Sequence, residues 1–192
     1  MSELFSIQLQ NRQQQGRDGV WLDLPTTTEQ VQAALRQIGI SSDNLQGLFI
    51  SGYFAEEEKR FAISYNMVLA SNVDELNFLA SRLETLSTGE CAELNAALQV
   101  PQSELSSIGR ITDFPENVDY YVHLPDVHGP AQLGDYYLNR SGMVDMPEEW
   151  KGGIDTAQFG RYVAQQEQGV FTEYGYLVKS GDEWQKVHEG QP

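Results

Sequence analysis

The chain has 192 residues with 28 acids against 12 bases, so its formal net charge is -16 and its pI is near 4.4. This acidity argues against direct binding to nucleic acid or to an anionic membrane, and no apolar run approaches the ~20 residues that span a bilayer. A hydrophobic fraction of 40% and an aromatic fraction of 10% indicate a folded, water-soluble protein rather than a disordered one.

Residues 1–60 predict a small α+β unit. Apolar and polar residues alternate over 5–9, which is typical of a half-buried strand, and 20–24 predict a second strand. The pairs Thr26-x-x-Glu29 and Thr27-x-x-Gln30 both fit a capping box at the start of a helix that Gly39 ends. Residues 47–54 predict a third, buried strand.

Residues 61–110 predict a small helical domain. Asn72 can cap a helix whose apolar residues recur along one stripe, and Ser87-x-x-Glu90 begins a second helix that ends before Pro101. Ser103 is the expected cap of a short third helix. Three short helices bury little apolar surface, so we expect them to need support from neighbouring units.

Residues 111–192 predict a second α+β domain. A strand is expected over 118–124, a helix that begins at Pro130 and ends before Gly142, and a further helix that begins after Asp155. A strand over 170–178 and a returning strand over 183–187 complete the pattern. The fold class is therefore α+β, with three small domains in the order α+β, helical, α+β.

Acidic residues without nearby bases are the main functional signal. Between Ile111 and Asn139 there is no Lys or Arg. The five acids of that stretch are Asp113, Glu116, Asp119, Asp126 and Asp135, and those of the preceding helical region are Asp74, Glu75, Glu84, Glu90, Glu93 and Glu104. Duplex DNA carries one negative charge per ~1.7 Å of axis, and carboxylates on a rigid scaffold can reach a comparable density. The alternatives are a surface that imitates DNA and an acidic face that serves solubility or another interaction.

Enzymatic patterns are weak. His123, Asp126 and His128 could bind a metal ion in a small metal-dependent hydrolase, but their spacing matches no known ligand pattern. Cys91 lies on the apolar stripe of a predicted helix, which favours an inert buried thiol. As the only cysteine, it also excludes an internal disulfide, so we expect a cytoplasmic protein. No enzyme activity and no cofactor are predicted.

Several segments, in this order and spacing, resemble the ArdA family of antirestriction proteins. The resemblance covers 5–176 and rests on VWLDLPTT, FISGYF, DELNFLASRLETL, QLGDYYLNRSG, MPEE, GID, FGR and FTEYGY. In the family's antirestriction motif, 133–143, the matching residues are Leu133, Gly134, Tyr136, Tyr137, Leu138 and Gly142. Two departures are Asn139-Arg140, where relatives often carry acids, and a tail after Tyr176.

The resemblance implies an elongated chain of three domains that forms a homodimer through the C-terminal domain, near the antirestriction motif. It implies mimicry of bent DNA and inhibition of type I restriction-modification enzymes of a bacterial host, with the methyltransferase and specificity subunits as partners. An alternative target is another defence enzyme that grips DNA, such as a BREX-type methyltransferase.

Overall fold

A computed structural model describes residues 3–14, 18–41, 43, 45–56, 61–101 and 103–188. Its strands are β1 Phe5–Asn11, β2 Val20–Leu24, β3 Leu48–Phe54, β4 Tyr121–Leu124, β5 Val170–Thr172 and β6 Gly175–Lys179. Its α-helices are α1 Thr28–Gln37, α2 Tyr65–Leu69, α3 Val73–Leu83, α4 Thr88–Gln99, α5 Ile108–Thr112, α6 Pro130–Asp135, α7 Glu148–Lys151 and α8 Thr156–Glu167. No helix among the described residues is long and apolar enough to cross a membrane.

Both helices and strands are well represented, which confirms the α+β class. Backbone contacts group the chain into two compact units. The first comprises 1–87, 104–116 and 186–192, and the second comprises 88–103 and 117–185. The helices over 61–87 therefore group with the N-terminal sheet and α4 with the C-terminal one, while the division into three domains stays a prediction.

The first unit contains an antiparallel sheet in the order β2-β1-β3. The alternation predicted for β1 is confirmed, because Phe5, Ile7 and Leu9 are buried while their neighbours are not. Helix α1 packs against β2 and begins with a capping box between Thr27 and Gln30. The three predicted strands and the first helix are therefore all present.

The helices of the first unit bury the apolar stripe predicted for α3. Asn72 accepts the Glu75 N–H at 2.8 Å, and Leu76, Leu79 and Leu83 are buried. The expected cap of the third helix was wrong, since α5 begins four residues later than Ser103 allows. Its cap is Ser107, whose hydroxyl oxygen accepts the Arg110 N–H. Ser103 instead donates its backbone N–H to Val100 in a turn.

The second unit contains a sheet in the order β4-β6-β5, against which α4 packs. The prediction of one strand over 170–178 was wrong, because a tight turn divides it into β5 and β6. Thr172 Oγ1 accepts the Tyr174 N–H and donates to the Gly175 carbonyl, and Gly175 has φ +120. The predicted strand over 183–187 was also wrong. The side chain of Trp184 there packs edge-on against Tyr120, with ring centroids 5.1 Å apart.

Helices α6 and α8 approach each other closely in the second unit. A Cβ at Gly134 would lie 1.9 Å from the Thr156 carbonyl oxygen, and one at Gly160 would lie 1.8 Å from the Pro130 oxygen. Only glycine permits such backbone contact at these two positions. The predicted start at Pro130 and the cap at Asp155 are confirmed.

Candidate DNA-mimic surface

The eleven acids selected from the sequence differ in exposure. Five are exposed, namely Asp74, Glu84, Glu116, Asp119 and Asp126. Five are partly buried, namely Glu75, Glu90, Glu93, Glu104 and Asp135. Asp113 alone among them is fully buried, with 0% exposure.

Asp113 does not contribute to an acidic surface, and the expectation that it does was wrong. Its Oδ1 accepts the backbone N–H of His188 at 2.8 Å within the first unit. A buried carboxylate is stable only when hydrogen bonds replace its lost hydration. Asp113 therefore has a structural role, and it fixes a residue of the tail that follows Tyr176.

Bases from outside the base-free stretch pair with two of its acids. Arg82 forms an ion pair with Glu116 in the first unit. In the second unit Arg140 Nε lies 3.3 Å from Asp135 Oδ2, and Asn139 donates to Asp135 Oδ1 at 2.8 Å. Asn139 and Arg140, which stand where relatives often carry acids, therefore partly neutralise the charge of Asp135.

Glu104 is also paired, since Arg110 Nη1 lies 3.0 Å from its Oε2. By contrast, Asp74, Asp119 and Asp126 are exposed and form no ion pair with any described residue. Asp74 lies in the first turn of α3, where the helix dipole favours a negative charge. Asp119 lies in the 3₁₀ turn Val118–Tyr120, and Asp126 follows β4.

Glu93 is an acid that neutral pH does not fully ionise. One of its carboxylate oxygens, Oε1, is buried and has no hydrogen-bond partner among the described residues. Burial, with smaller contributions from the charges of Glu90 and Asp119, raises the pKa of Glu93 to about 7. Its charge therefore depends on pH in the range where an inhibitor would act.

The antirestriction motif is largely a packing element. Leu133, Gly134 and Leu138 are buried, and Leu133 lies in a core cluster with Val127, Ala164 and Tyr176. Helix α6 continues into one turn of π-helix, Tyr136–Arg140, which ends before Gly142 at φ +70. Such π-turns are rare and occur often at functional sites.

Glu167, which the sequence did not single out, fixes the π-helix. Its carboxylate accepts hydrogen bonds from the hydroxyls of Tyr137 and of Tyr176, the latter at 3.0 Å. Burial, followed by the hydrogen bond to Glu167, raises the pKa of both tyrosines. Glu167 is the last residue of α8, where the helix dipole disfavours a negative charge. The hydrogen bonds from the two tyrosine hydroxyls offset this unfavourable interaction.

The residues of the hydrolase alternative do not assemble into a metal centre. His123 Nε2 lies 2.7 Å from the Tyr174 carbonyl oxygen, while Asp126 and His128 are exposed. Within the described ranges, no group of three or more His, Cys, Asp and Glu side chains is placed to hold a metal ion. Cys91 is half-buried rather than fully buried, and burial raises the pKa of its thiol, which disfavours the reactive thiolate.

The chain matches a known protein family over most of its length. A family model described as antirestriction protein (ArdA) matches residues 15–178. No curated protein matches the chain. The family match covers most of the sequence and includes both glycines of the α6–α8 contact as well as the candidate acids.

Proposed function

Because the chain belongs to the ArdA family of antirestriction proteins, we propose that it inhibits type I restriction-modification enzymes by occupying their DNA-binding groove. The members of this family inhibit restriction enzymes and are not themselves enzymes. The target in this proposal is the methyltransferase core with its specificity subunit, in the cytoplasm of a bacterial host. No cofactor takes part.

Exposed acids that form no ion pair with any described residue support the mimicry mechanism. Asp74 in the first unit, and Asp119 and Asp126 in the second, present full negative charges to solvent. A groove that binds DNA is lined by Lys and Arg, and its occupation by such charges releases the same counterions that DNA releases. A net charge of -16 also speeds the encounter with a basic groove.

A homodimer through the residues after 111 is part of the proposal. Large apolar side chains of the second unit are in solvent there, with Met143 76%, Trp150 69% and Tyr162 60% exposed. An isologous contact would bury such side chains symmetrically. Light scattering at micromolar concentration should give twice the 21.6 kDa of the monomer, and a monomer alone would contradict the arrangement.

The direct test is competition with DNA. Purified protein is titrated into a complex of a type I methyltransferase with fluorescent duplex DNA, at several salt concentrations. We expect release of the DNA and an apparent affinity that falls steeply with salt, as for DNA itself. If the DNA stays bound at saturating protein, or if its release is insensitive to salt, groove occupation by charge is wrong.

A further inference from the structure

The outer face of the sheet in the first unit carries two large aromatic side chains in solvent. Trp21 on β2 is 50% exposed and Phe54 on β3 is 58% exposed. Directly paired residues of antiparallel strands point to the same face of a sheet. The register therefore places in one row Trp21, Gln8 and Gly52, and in the next row Asp23, Ser6 and Phe54. Rows on one face lie ~7 Å apart, so the two rings and the Asp23 carboxylate belong to one surface.

Gly52 allows the indole ring to lie across this face. A Cβ at position 52 would lie 3.0 Å from Trp21 Cη2 and 3.1 Å from the Cβ of Gln8. The ring thus reaches from β2 over β1 to β3, in the space that a side chain at 52 would take. Half of the indole surface stays in water, which leaves it available to a partner.

Acids surround the two rings. A groove of about 500 Å³ between β2 and α1 is lined by Trp21 together with Glu3 and Asp23. A second groove of about 240 Å³ includes Phe54 together with Glu3, Asp23 and Glu56. No Lys or Arg is among the described residues that line either groove. The register places the Asp23 carboxylate, whose Oδ1 accepts the Ser6 hydroxyl at 2.6 Å, on the same face as the two rings. Glu3 and Glu56 line the grooves beside that face.

This combination matches the chemistry of arginine. A guanidinium group stacks on an aromatic ring, best on Trp, and at the same time donates hydrogen bonds to carboxylates in a planar fork. An apolar partner would leave the carboxylates without hydration, and an anionic partner would be repelled. The outer face of the N-terminal sheet with Trp21, Asp23 and Phe54 is called the Trp21 face. We propose that it binds arginine side chains of the enzyme that the protein inhibits.

The inference rests on the proposed function for the identity of the partner and extends the contact beyond the acids chosen from the sequence. Glu3, Asp23 and Glu56 are not among those eleven acids. The aromatic rings add something that charge alone does not supply, because stacking on Trp depends weakly on salt compared with Coulomb attraction between exposed groups. The Trp21 face therefore contributes affinity that persists at high salt.

The first test is direct binding of a peptide of six arginines, with a peptide of six lysines for comparison. Binding is followed by NMR through the backbone N–H resonances of Gln8 and Gly52, which lie in the row of Trp21 and are present in every variant. We expect tighter binding of the arginine peptide, and a loss of about fivefold in affinity for Trp21→Leu, since a cation–π contact is worth about 1 kcal/mol. Tyr65→Leu, which removes another exposed aromatic ring of the first unit, should bind as the wild type does. Equal affinities of Trp21→Leu and wild type would overturn the inference.

The second test uses DNA displacement from the methyltransferase at high salt, with the variants Trp21→Leu/Phe54→Leu and Asp23→Asn. Both should displace DNA less well, and Asp23→Asn covers the case in which the aromatic variant does not fold. If the wild type displaces DNA and both variants equal it, the proposed function stands and this inference fails. If the wild type displaces no DNA, the proposed function fails, and the peptide titration alone decides whether the face binds guanidinium groups. A dimer that becomes a monomer in the aromatic variant would identify a second copy as the occupant and overturn the inference.

Discussion

The segments 104–116 and 117–135 contain three acidic residues each, yet the carboxylates of the two segments have different environments. In 104–116, Glu104 and Glu116 form ion pairs with Arg110 and Arg82, and Asp113 is buried. In 117–135, Arg140 pairs with Asp135, but Asp119 and Asp126 are exposed and pair with no base among the described residues. The absence of bases from a stretch of sequence therefore does not establish that its charges face solvent, since helices elsewhere in the same unit can supply the partner.

The difference matters because a paired carboxylate presents a dipole at long range, whereas an unpaired one presents a full charge. Inhibition by charge should therefore depend on the exposed acids that form no ion pair with a described residue, which are Asp119, Asp126 and, on α3, Asp74. Stability should depend on the buried Asp113. Substitutions in the two groups separate these contributions.

The largest expected effect is on stability, at Asp113. Asp113→Ala removes the acceptor of the His188 N–H and leaves a buried polar group unsatisfied, so we expect a loss of about 3 kcal/mol in the free energy of unfolding. Urea denaturation followed by circular dichroism measures it. Asp119→Ala, at an exposed position, should change stability by less than about 0.5 kcal/mol. Equal effects of the two changes would remove the distinction between the two groups.

The second effect is on inhibition, at the exposed acids. The triple variant Asp74→Asn/Asp119→Asn/Asp126→Asn should lose about tenfold in apparent affinity at low salt. Its plot of log affinity against log salt should be less steep by up to about 3, since each neutralised contact contributes ~0.9 in DNA. The fold should persist, because self-repulsion falls.

The matched control for that variant is Arg82→Gln/Glu116→Gln, which removes an ion pair without changing the net charge. It should leave the salt slope unchanged. If the pair variant and the triple variant weaken inhibition alike, the affinity does not come from the unpaired acids, and the mimic surface has to be sought on other residues.

Local signals in the sequence predicted much of the fold. Alternation over 5–9 and the caps at Asn72 and Asp155 work because a strand face or a helix start depends on few neighbouring residues. The failures lie where tertiary contacts decide. Apolar and aromatic residues with high strand propensity lie on both sides of Glu173 and Gly175, so 170–178 resembles one continuous strand. Nothing local marks Ser107 rather than Ser103 as the cap of α5.

The candidate site was predicted less completely than the fold. The excess of acids and the low number of bases are visible in the sequence, and they suffice to suggest mimicry of DNA. Burial of Asp113 depends on His188, 75 residues later, and the pairing of Glu116 depends on Arg82, 34 residues earlier. Contacts at such separation leave no periodic pattern. Trp21 and Phe54 were read as parts of strands, and only the register of β1, β2 and β3 brings them to one face.

The third prediction concerns pH and Glu93. Burial raises the pKa of Glu93 to about 7, so the folded state favours the protonated carboxyl. The stability that protonation contributes is complete below the unfolded pKa of ~4.3 and is lost as pH rises through 7. Glu93→Gln cannot ionise, so it should gain stability over the wild type between pH 5 and pH 8. We expect a gain of about 1 kcal/mol, after allowance for the part of the side chain that water screens.

Urea denaturation at pH 5, 7 and 8 measures this gain. Glu84→Gln, at an exposed position of the first unit, is the control and should follow the wild type across the range. Asp119→Asn removes one of the charges that act on Glu93, so it should reduce the loss of wild-type stability above pH 7. A difference between Glu93→Gln and wild type that does not vary with pH would show that Glu93 is ionised throughout.

The smallest expected effect is at Arg140, which compensates Asp135. Arg140 Nε lies 3.3 Å from the Asp135 carboxylate, its guanidinium carbon lies 5.7 Å from the centre of the Tyr136 ring, and both charged side chains are 49% exposed. An exposed pair of this kind contributes about 0.5 kcal/mol to stability, so Arg140→Gln should fold normally. It should expose the charge of Asp135 and raise the apparent affinity for the methyltransferase by about twofold, measured by DNA competition at low salt. Arg161→Gln, which removes the same charge from an exposed position of α8, is the control. An equal gain in both variants would indicate that net charge alone sets the affinity, and a loss in Arg140→Gln would indicate that Arg140 itself contacts the enzyme.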